Sequence, residues 1–277
     1  MNYREDKDFH TETKKSSDLS SWEQRSLQYG TSLQGVLFKN LPEFVNEHIH
    51  QWHLYSITTF LKNKQPKTLL DVGCGYGRLS ASIINQFPGI QTTGLDISPH
   101  YAELYRQQIK RPAIVSTAEN IPNDLGEFDC ILAVTVLMYV PENNLSKAVS
   151  NLVDHLNKNG TLIIIENHCS GCGFQNPFGL KNLLKRPQKK NEINTGGRCF
   201  RDKRIADLVQ QAGGQIDRKL KMPVTSIFIL PIYAMAKILP EGFNKWILKI
   251  VSCLDKSLGS FPLPSLHAAY LVTKKIP

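Results

Sequence analysis

The stretch Asp71-Val-Gly73-Cys74-Gly75-Tyr76-Gly77 puts three glycines in five residues directly after a carboxylate. Glycine runs let a backbone approach a ligand closely, and the pattern G-x-G-x-x-G cradles the pyrophosphate of dinucleotides. The spacing here differs. Counted from Gly73 and Gly75, the third position of that pattern is Arg78, and the glycine falls one place earlier, at Gly77. Asp71 at the loop repels phosphate and suits a ligand carrying an ammonium group. A second acid, Asp96, closes the second expected strand about twenty residues later, where a carboxylate accepts hydrogen bonds from ribose hydroxyls. An amino-acid end and a ribose on one molecule describe S-adenosylmethionine.

These residues need a frame to hold them. Residues 68–72, 91–96, 113–116, 128–134 and 161–166 read as short strands, most of them apolar. Helical periodicity fills the intervals, over 77–87, 99–109 and 142–156, with Ser98 and Pro99 as the N-cap and first-turn pair of the second helix. Alternating strands and helices with continuous apolar strands mean a parallel sheet covered on both faces. Residues 41–62 read as a preceding helix. His48, His50 and His53 lie on it at offsets of two and five and read as ordinary helix histidines. After Glu166 the rhythm breaks. It resumes with a helix at 201–213, a strand at 215–221 and a final strand at 267–273.

LLDVGCGYGRLS, GLDIS, STAENIP and FDCILAVTVLMYVPE, in this order and spacing, resemble the class I S-adenosylmethionine-dependent methyltransferases, in particular their small-molecule branch. The resemblance covers about residues 66–165. It implies an α/β, Rossmann-like, seven-stranded, mostly parallel sheet with helices on both faces. To this are added an N-terminal helical segment and a C-terminal helical cap insertion. It also implies a cofactor site. Asp71, Gly73 and Gly75 surround the methionine moiety, with the backbone of Cys74 and Tyr76. Asp96 holds the ribose, Ile97 packs on the adenine, Ala118 and Glu119 lie at the adenine edge, and Val134 with Thr135 lines the floor. Relatives often have an Asp before the Ala-Glu pair; here that position is Thr117, which makes Glu119 the candidate reader of the adenine amine.

Methyl transfer from a sulfonium is an in-line displacement, so the protein mainly aligns the nucleophile and excludes water. A hydroxyl acceptor also needs a base, whereas a neutral amine or a thiolate needs little help. Candidates follow the fourth and fifth strands: Tyr139, Glu166 and His168, the last chosen first because histidine titrates near neutrality. Tyr29 and Trp22 precede the first long helix and can fold over the pocket. His168, Cys169, Cys172 and Cys199 raise a zinc question, but a single CxxC falls short of a structural site and no metal is assigned.

The chain divides into a flexible arm (1–21), the helical segment (22–65) and the methyltransferase domain (66–277), with a basic loop at 167–204 and the cap insertion at 223–264. The arm is polar and has no apolar core, so no secretion signal is read and a cytoplasmic protein with reduced thiols is expected. Net charge is +9, and the stretch 178–204 holds nine Lys and Arg against two acids. That excess suits an anionic acceptor or surface, or equally a solvated loop. The cap reads as two helices. The second carries Phe243, Ile247, Ile250, Val251, Leu254 and Leu258 opposite Lys245, Lys249, Ser252 and Lys256. The favoured reading is a lid whose apolar face closes over the pocket; the alternative is an interfacial helix giving peripheral membrane contact through 224–262. The expected acceptor is a small molecule or a glycan or lipid intermediate, methylated on oxygen or nitrogen. Nucleic acid is disfavoured for want of an aromatic-interleaved module. The rival readings are an RNA or protein methyltransferase, or a protein that binds S-adenosylmethionine without methylating.

Overall fold

The structure is a computed structural model, and it describes residues 21–170, 197–235 and 238–275. The apolar runs become strands β1 (Thr68–Val72), β2 (Gln91–Asp96), β3 (Ala113–Val115), β4 (Phe128–Val134), β5 (Leu156–Asn167), β6 (Gly214–Lys221) and β7 (His267–Lys274). Among the described residues they form one sheet in the order β3-β2-β1-β4-β5-β7-β6. Strand β7 is antiparallel to both its neighbours, β5 and β6, and the other strand pairs are parallel. The chain moves outward from β1 to β3 and returns to β4 beside β1, so the strand order reverses there and a crevice opens at the carboxyl ends.

The helices are α1 (21–29), α2 (Leu33–Val36), α3 (Glu43–Leu61), α4 (Arg78–Gln86), α5 (Pro99–Ile109), α6 (Leu145–Asp154), α7 (Asp202–Gln211), α8 (Pro223–Met235) and α9 (Glu241–Leu258). Successive strand residues point to opposite faces, and this divides the core in two. Leu70, Ile131 and Ile164 pack under Val149 and Leu152 of α6 and Ile205 of α7. Leu69, Leu132 and Ile163 pack under Ile49 and Trp52 of α3, Ile83 of α4 and Val251 of α9. Both faces are therefore covered, as a parallel sheet requires.

The cap departs from expectation. On α9 the buried residues are Asn244, Leu248, Val251 and Asp255. Phe243, Ile250 and Leu254, expected to be buried in a lid, are 46%, 44% and 43% exposed. The core-facing side of the helix is set by a polar interaction that periodicity does not show. Asp255 accepts hydrogen bonds from the backbone N–H of Val224 (2.6 Å) and Thr225 (3.3 Å) and from the Thr225 hydroxyl (2.5 Å). It thereby caps the N-terminus of α8 from another helix and locks the two cap helices together. Burial pushes its carboxyl up to about 6 against those donors.

Asp255→Ala leaves two buried amides and a hydroxyl without this acceptor. The expected loss is about 2–3 kcal/mol of stability, the scale of orphaned partners of a charged group. Denaturant titration of the two proteins measures it; an unchanged midpoint contradicts the clamp.

Candidate active site

The crevice holds a cavity of ≈ 1030 Å³, counting its open mouth, that runs from the glycine loop to the end of β4. Three of the loop glycines have left-handed φ: Gly73 (68°), Gly75 (54°) and Gly77 (90°). A Cβ on Gly73 would lie 2.4 Å from Val136 Cγ2, and one on Gly77 2.3 Å from Ile109 Cγ1. Glycine is required here by both dihedral and space.

Asp96 organises the cofactor side. Its Oδ2 accepts from Gly75 N–H and its Oδ1 from Ser98 N–H, both at 2.9 Å. Each oxygen keeps a further lone pair for a ligand hydroxyl. Asp71, at the end of β1, accepts the Ser80 hydroxyl at 2.7 Å, and Ser80 in turn accepts from Tyr105 at 3.0 Å. Burial pushes both carboxyls up to about 6; hydrogen bonds hold them back, from Ser80 for Asp71 and from Ser98 and Gly75 for Asp96.

Asp71, Gly73, Cys74, Gly75, Asp96, Ile97, Ala118, Glu119 and Val134 all line this cavity, as do Thr117 and Thr135. Tyr76 does not. On the opposite wall Tyr139 meets Trp22 edge-on, with ring centroids 5.0 Å apart. Burial raises the Tyr139 hydroxyl to about 12, with Arg25 acting against the shift. Trp22 belongs to α1, which is anchored over the site by Glu23: its Oε2 accepts from the Ser98 hydroxyl (2.5 Å) and His100 N–H (3.3 Å). Tyr29, on the same helix, is not part of the lining.

Two proposed bases are corrected by their surroundings. Glu166 is fully buried behind the cavity wall and accepts from three amides: Val136 (2.9 Å), Leu137 (2.7 Å) and Met138 (3.3 Å). Those amides converge on it because Thr135 turns the chain with φ 57°, a conformation that costs a β-branched residue about 1–3 kcal/mol. Burial pushes Glu166 up to about 8 against these donors. It shapes the loop carrying Val136 and Tyr139. His168 is buried too, with Nδ1 2.5 Å from Ser170 Oγ and Nε2 3.2 Å from Asp202 Oδ1. Both ring nitrogens are engaged away from the cavity, and burial followed by Lys221 lowers its pKa. The described residues of the cap also contribute nothing to the lining, so the reading of a lid over this cavity is corrected.

Arg78 was not foreseen. It lines the cavity and donates to His50 Nδ1 (2.9 Å) and His53 Nδ1 (3.3 Å). His53 Nε2 lies 2.7 Å from His267 Nδ1, with the two rings stacked at 4.9 Å. Because arginine can only donate, His53 accepts at Nδ1 and carries its proton at Nε2. The histidines taken for ordinary helix residues thus orient a cation. His50 and His53 are three apart and share a face. The available signal was a basic residue in the first turn of α4, where the helix dipole disfavours it. Burial lowers Arg78 only to about 10, so it stays charged, and no carboxylate among the described residues lies within ion-pair distance.

Cys172 and five of the nine basic residues in 178–204 lie outside the described residues. Of the rest, Arg198 and Arg204 both pair with Glu142. Among the described residues no cluster of three His, Cys, Asp or Glu is arranged for a metal.

The donor set fits S-adenosylmethionine. The glycine cradle admits close backbone approach, Asp71 and Arg78 put one acid and one base on the cavity wall, as the two charged ends of an amino acid would need, and Asp96 has lone pairs left for vicinal hydroxyls. Residues 70–162 match the family model described as a methyltransferase domain. A tRNA N(3)-methylcytidine methyltransferase from Schizosaccharomyces pombe is 25% identical over 165 residues, covering 55% of this chain and 66% of its own. The norajmaline N-methyltransferase of Rauvolfia serpentina is 30% identical over 87 residues, covering 29% and 30%. The matches thus span less than two thirds of these relatives' lengths. Among solved structures, a magnesium protoporphyrin IX methyltransferase from Synechocystis with bound S-adenosylmethionine superposes at TM-score 0.57 and 14% identity, covering 95% of this chain and 97% of that one. Fold and crevice define a Rossmann-like methyltransferase domain. Residues 70–162 carry a methyltransferase domain, and the chain shares its fold with solved S-adenosylmethionine-dependent methyltransferases.

Asp96 must be ionised to accept two hydroxyls, so cofactor affinity should be level above pH 7 and fall as pH drops below about 6. Asp96→Asn should weaken S-adenosylhomocysteine binding by about 1.5–3 kcal/mol and flatten that profile. Calorimetry across pH tests both; equal affinity for mutant and wild type contradicts the ribose assignment. For Glu166 the folded pKa lies above the unfolded one. The folded state therefore holds an extra proton between about pH 4.5 and 8, and stability falls as pH rises through that window. Glu166→Gln should remove a slope on the order of 1 kcal/mol per pH unit, read by denaturation at several pH values.

Proposed function

We propose that this chain binds S-adenosylmethionine in the crevice and transfers its methyl group to an oxygen or nitrogen of a small-molecule, glycan or lipid-type acceptor. One observation carries the reading: strand-end carboxylates and the glycine loop line one wall of the same cavity whose other wall is Trp22 and Tyr139. Bound there, S-adenosylmethionine supplies an activated methyl and leaves as a neutral thioether. The chain's own residues then need to hold the acceptor in line and keep water out. Trp22 and Tyr139 supply an apolar, aromatic wall for that purpose. With its hydroxyl raised to about 12, Tyr139 is a hydrogen-bond donor rather than a base at neutral pH. Among the described residues no histidine lines the cavity. This favours an acceptor that needs no deprotonation by the protein, such as a neutral amine or an already ionised carboxylate or phenolate.

A second reading, methylation of RNA, draws on the likeness to the S. pombe tRNA enzyme and on the basic stretch between β5 and α7. An acceptor panel read by S-adenosylhomocysteine release separates the two. Amines and ionised oxygen acids are expected to raise release above the acceptor-free rate, and Tyr139→Phe to lower turnover about five- to tenfold while leaving cofactor affinity intact. Release supported by RNA alone would overturn the small-acceptor reading.

A further inference from the structure

Helix α9 carries two apolar faces, although one suffices to attach it. Leu248 and Val251 pack into the core, flanked by the buried Asn244 and Asp255. Phe243, Trp246, Ile250 and Leu254 follow one another at spacings of three, four and four, which draws a single stripe along the other side. Each is at least 43% exposed, and Trp246 reaches 56%. The Phe243 and Trp246 rings lie 5.8 Å apart, so the stripe begins with an aromatic pair. Isolated exposed apolar side chains are ordinary, but a continuous stripe marks an interaction surface.

Charge selects the partner. Lys245, Lys249 and Lys256, at spacings of four and seven, form a second row that bounds the stripe on one side. Asp255 is buried, Glu241 pairs with Lys245, and the Lys256 ammonium lies over the Tyr55 ring, 5.1 Å from its centroid, so Lys249 is the member of the row with no ion pair or ring contact among the described residues. A second copy of a chain with net charge +9 gains nothing from this row, whereas a negatively charged surface does. Tryptophan and phenylalanine on one side and lysines beside them are the composition of a helix lying in a membrane interface. Among the described residues no helix is long and apolar enough to cross a membrane, so the contact is peripheral.

We propose that the outer face of α9 docks this protein on an anionic phospholipid bilayer, with the stripe in the interface and the lysine row at the headgroups. The docking stands apart from the acceptor assignment, because it is measured without turnover. The full chain is sedimented with vesicles of phosphatidylcholine alone or mixed with phosphatidylglycerol, at low and high salt. The wild type should partition onto the phosphatidylglycerol vesicles, more weakly as salt rises and little onto phosphatidylcholine. Trp246→Glu combined with Ile250→Glu should reduce partition at least tenfold. Melting temperature and S-adenosylhomocysteine affinity should be unchanged, since both side chains are exposed and outside the cavity. Failure of the wild type to bind phosphatidylglycerol vesicles at low salt would overturn the proposal, as would a double variant that binds them equally well. A dimer that the double variant dissociates, without vesicle binding by either protein, would assign the stripe to a second copy instead.

Discussion

The Asp96 carboxylate joins three pieces of backbone. One oxygen holds Gly75 in the glycine loop and the other holds Ser98 at the head of α5, while the residue itself ends β2. Ser98 in turn caps α5 by accepting from Tyr101 N–H and donates its hydroxyl to Glu23 on α1. The cofactor wall, the first helix after β2 and the segment that covers the site are thus tied through one buried anion. Burial raises its pKa, and the two amides keep it accessible to ionisation. The loop glycines are the complement of this arrangement, because only a backbone free of Cβ can turn so tightly beneath it.

The acceptor wall rests on a second buried carboxyl group. Glu166 gathers the amides that Thr135, in its left-handed conformation, turns toward it, and so fixes the loop bearing Val136 and Tyr139. On the other side of the glycine loop, Arg78 is held by imidazoles instead of a carboxylate and keeps its charge for the cavity. The site therefore has one rigid face made from strand ends and one made from a strained loop. Both are set on the sheet at the reversal between β1 and β4.

Strands β1, β2 and β4 were legible to the residue, β1 and β4 from their apolar side chains and β2 from its place between the helix after the glycine loop and the Ser98-Pro99 helix start. The cofactor residues were legible for a related reason: local spacing puts Asp71, Gly73, Gly75 and Asp96 on two adjacent strand ends. Interactions between distant segments were not. Nothing near Glu166 announces the turn at Thr135, and His267 joins His53 across 214 residues of chain. Periodicity showed that α9 is amphipathic but not which side faces the core. Ile250 and Val251 are equally apolar neighbours, and the choice between them is made by Asp255 reaching the amides of α8. Buried polar contacts, invisible to a hydrophobic pattern, settled each of these cases.

The central claim is that the crevice at the β1–β4 reversal is built around Asp96 to hold S-adenosylmethionine. A crystal structure with S-adenosylhomocysteine tests it most directly. It should show both ribose hydroxyls on Asp96, the adenine against Ile97 and Ala118, and the amino-acid end between Asp71 and Arg78. A ligand lodged elsewhere, or a ribose turned away from Asp96, would contradict it.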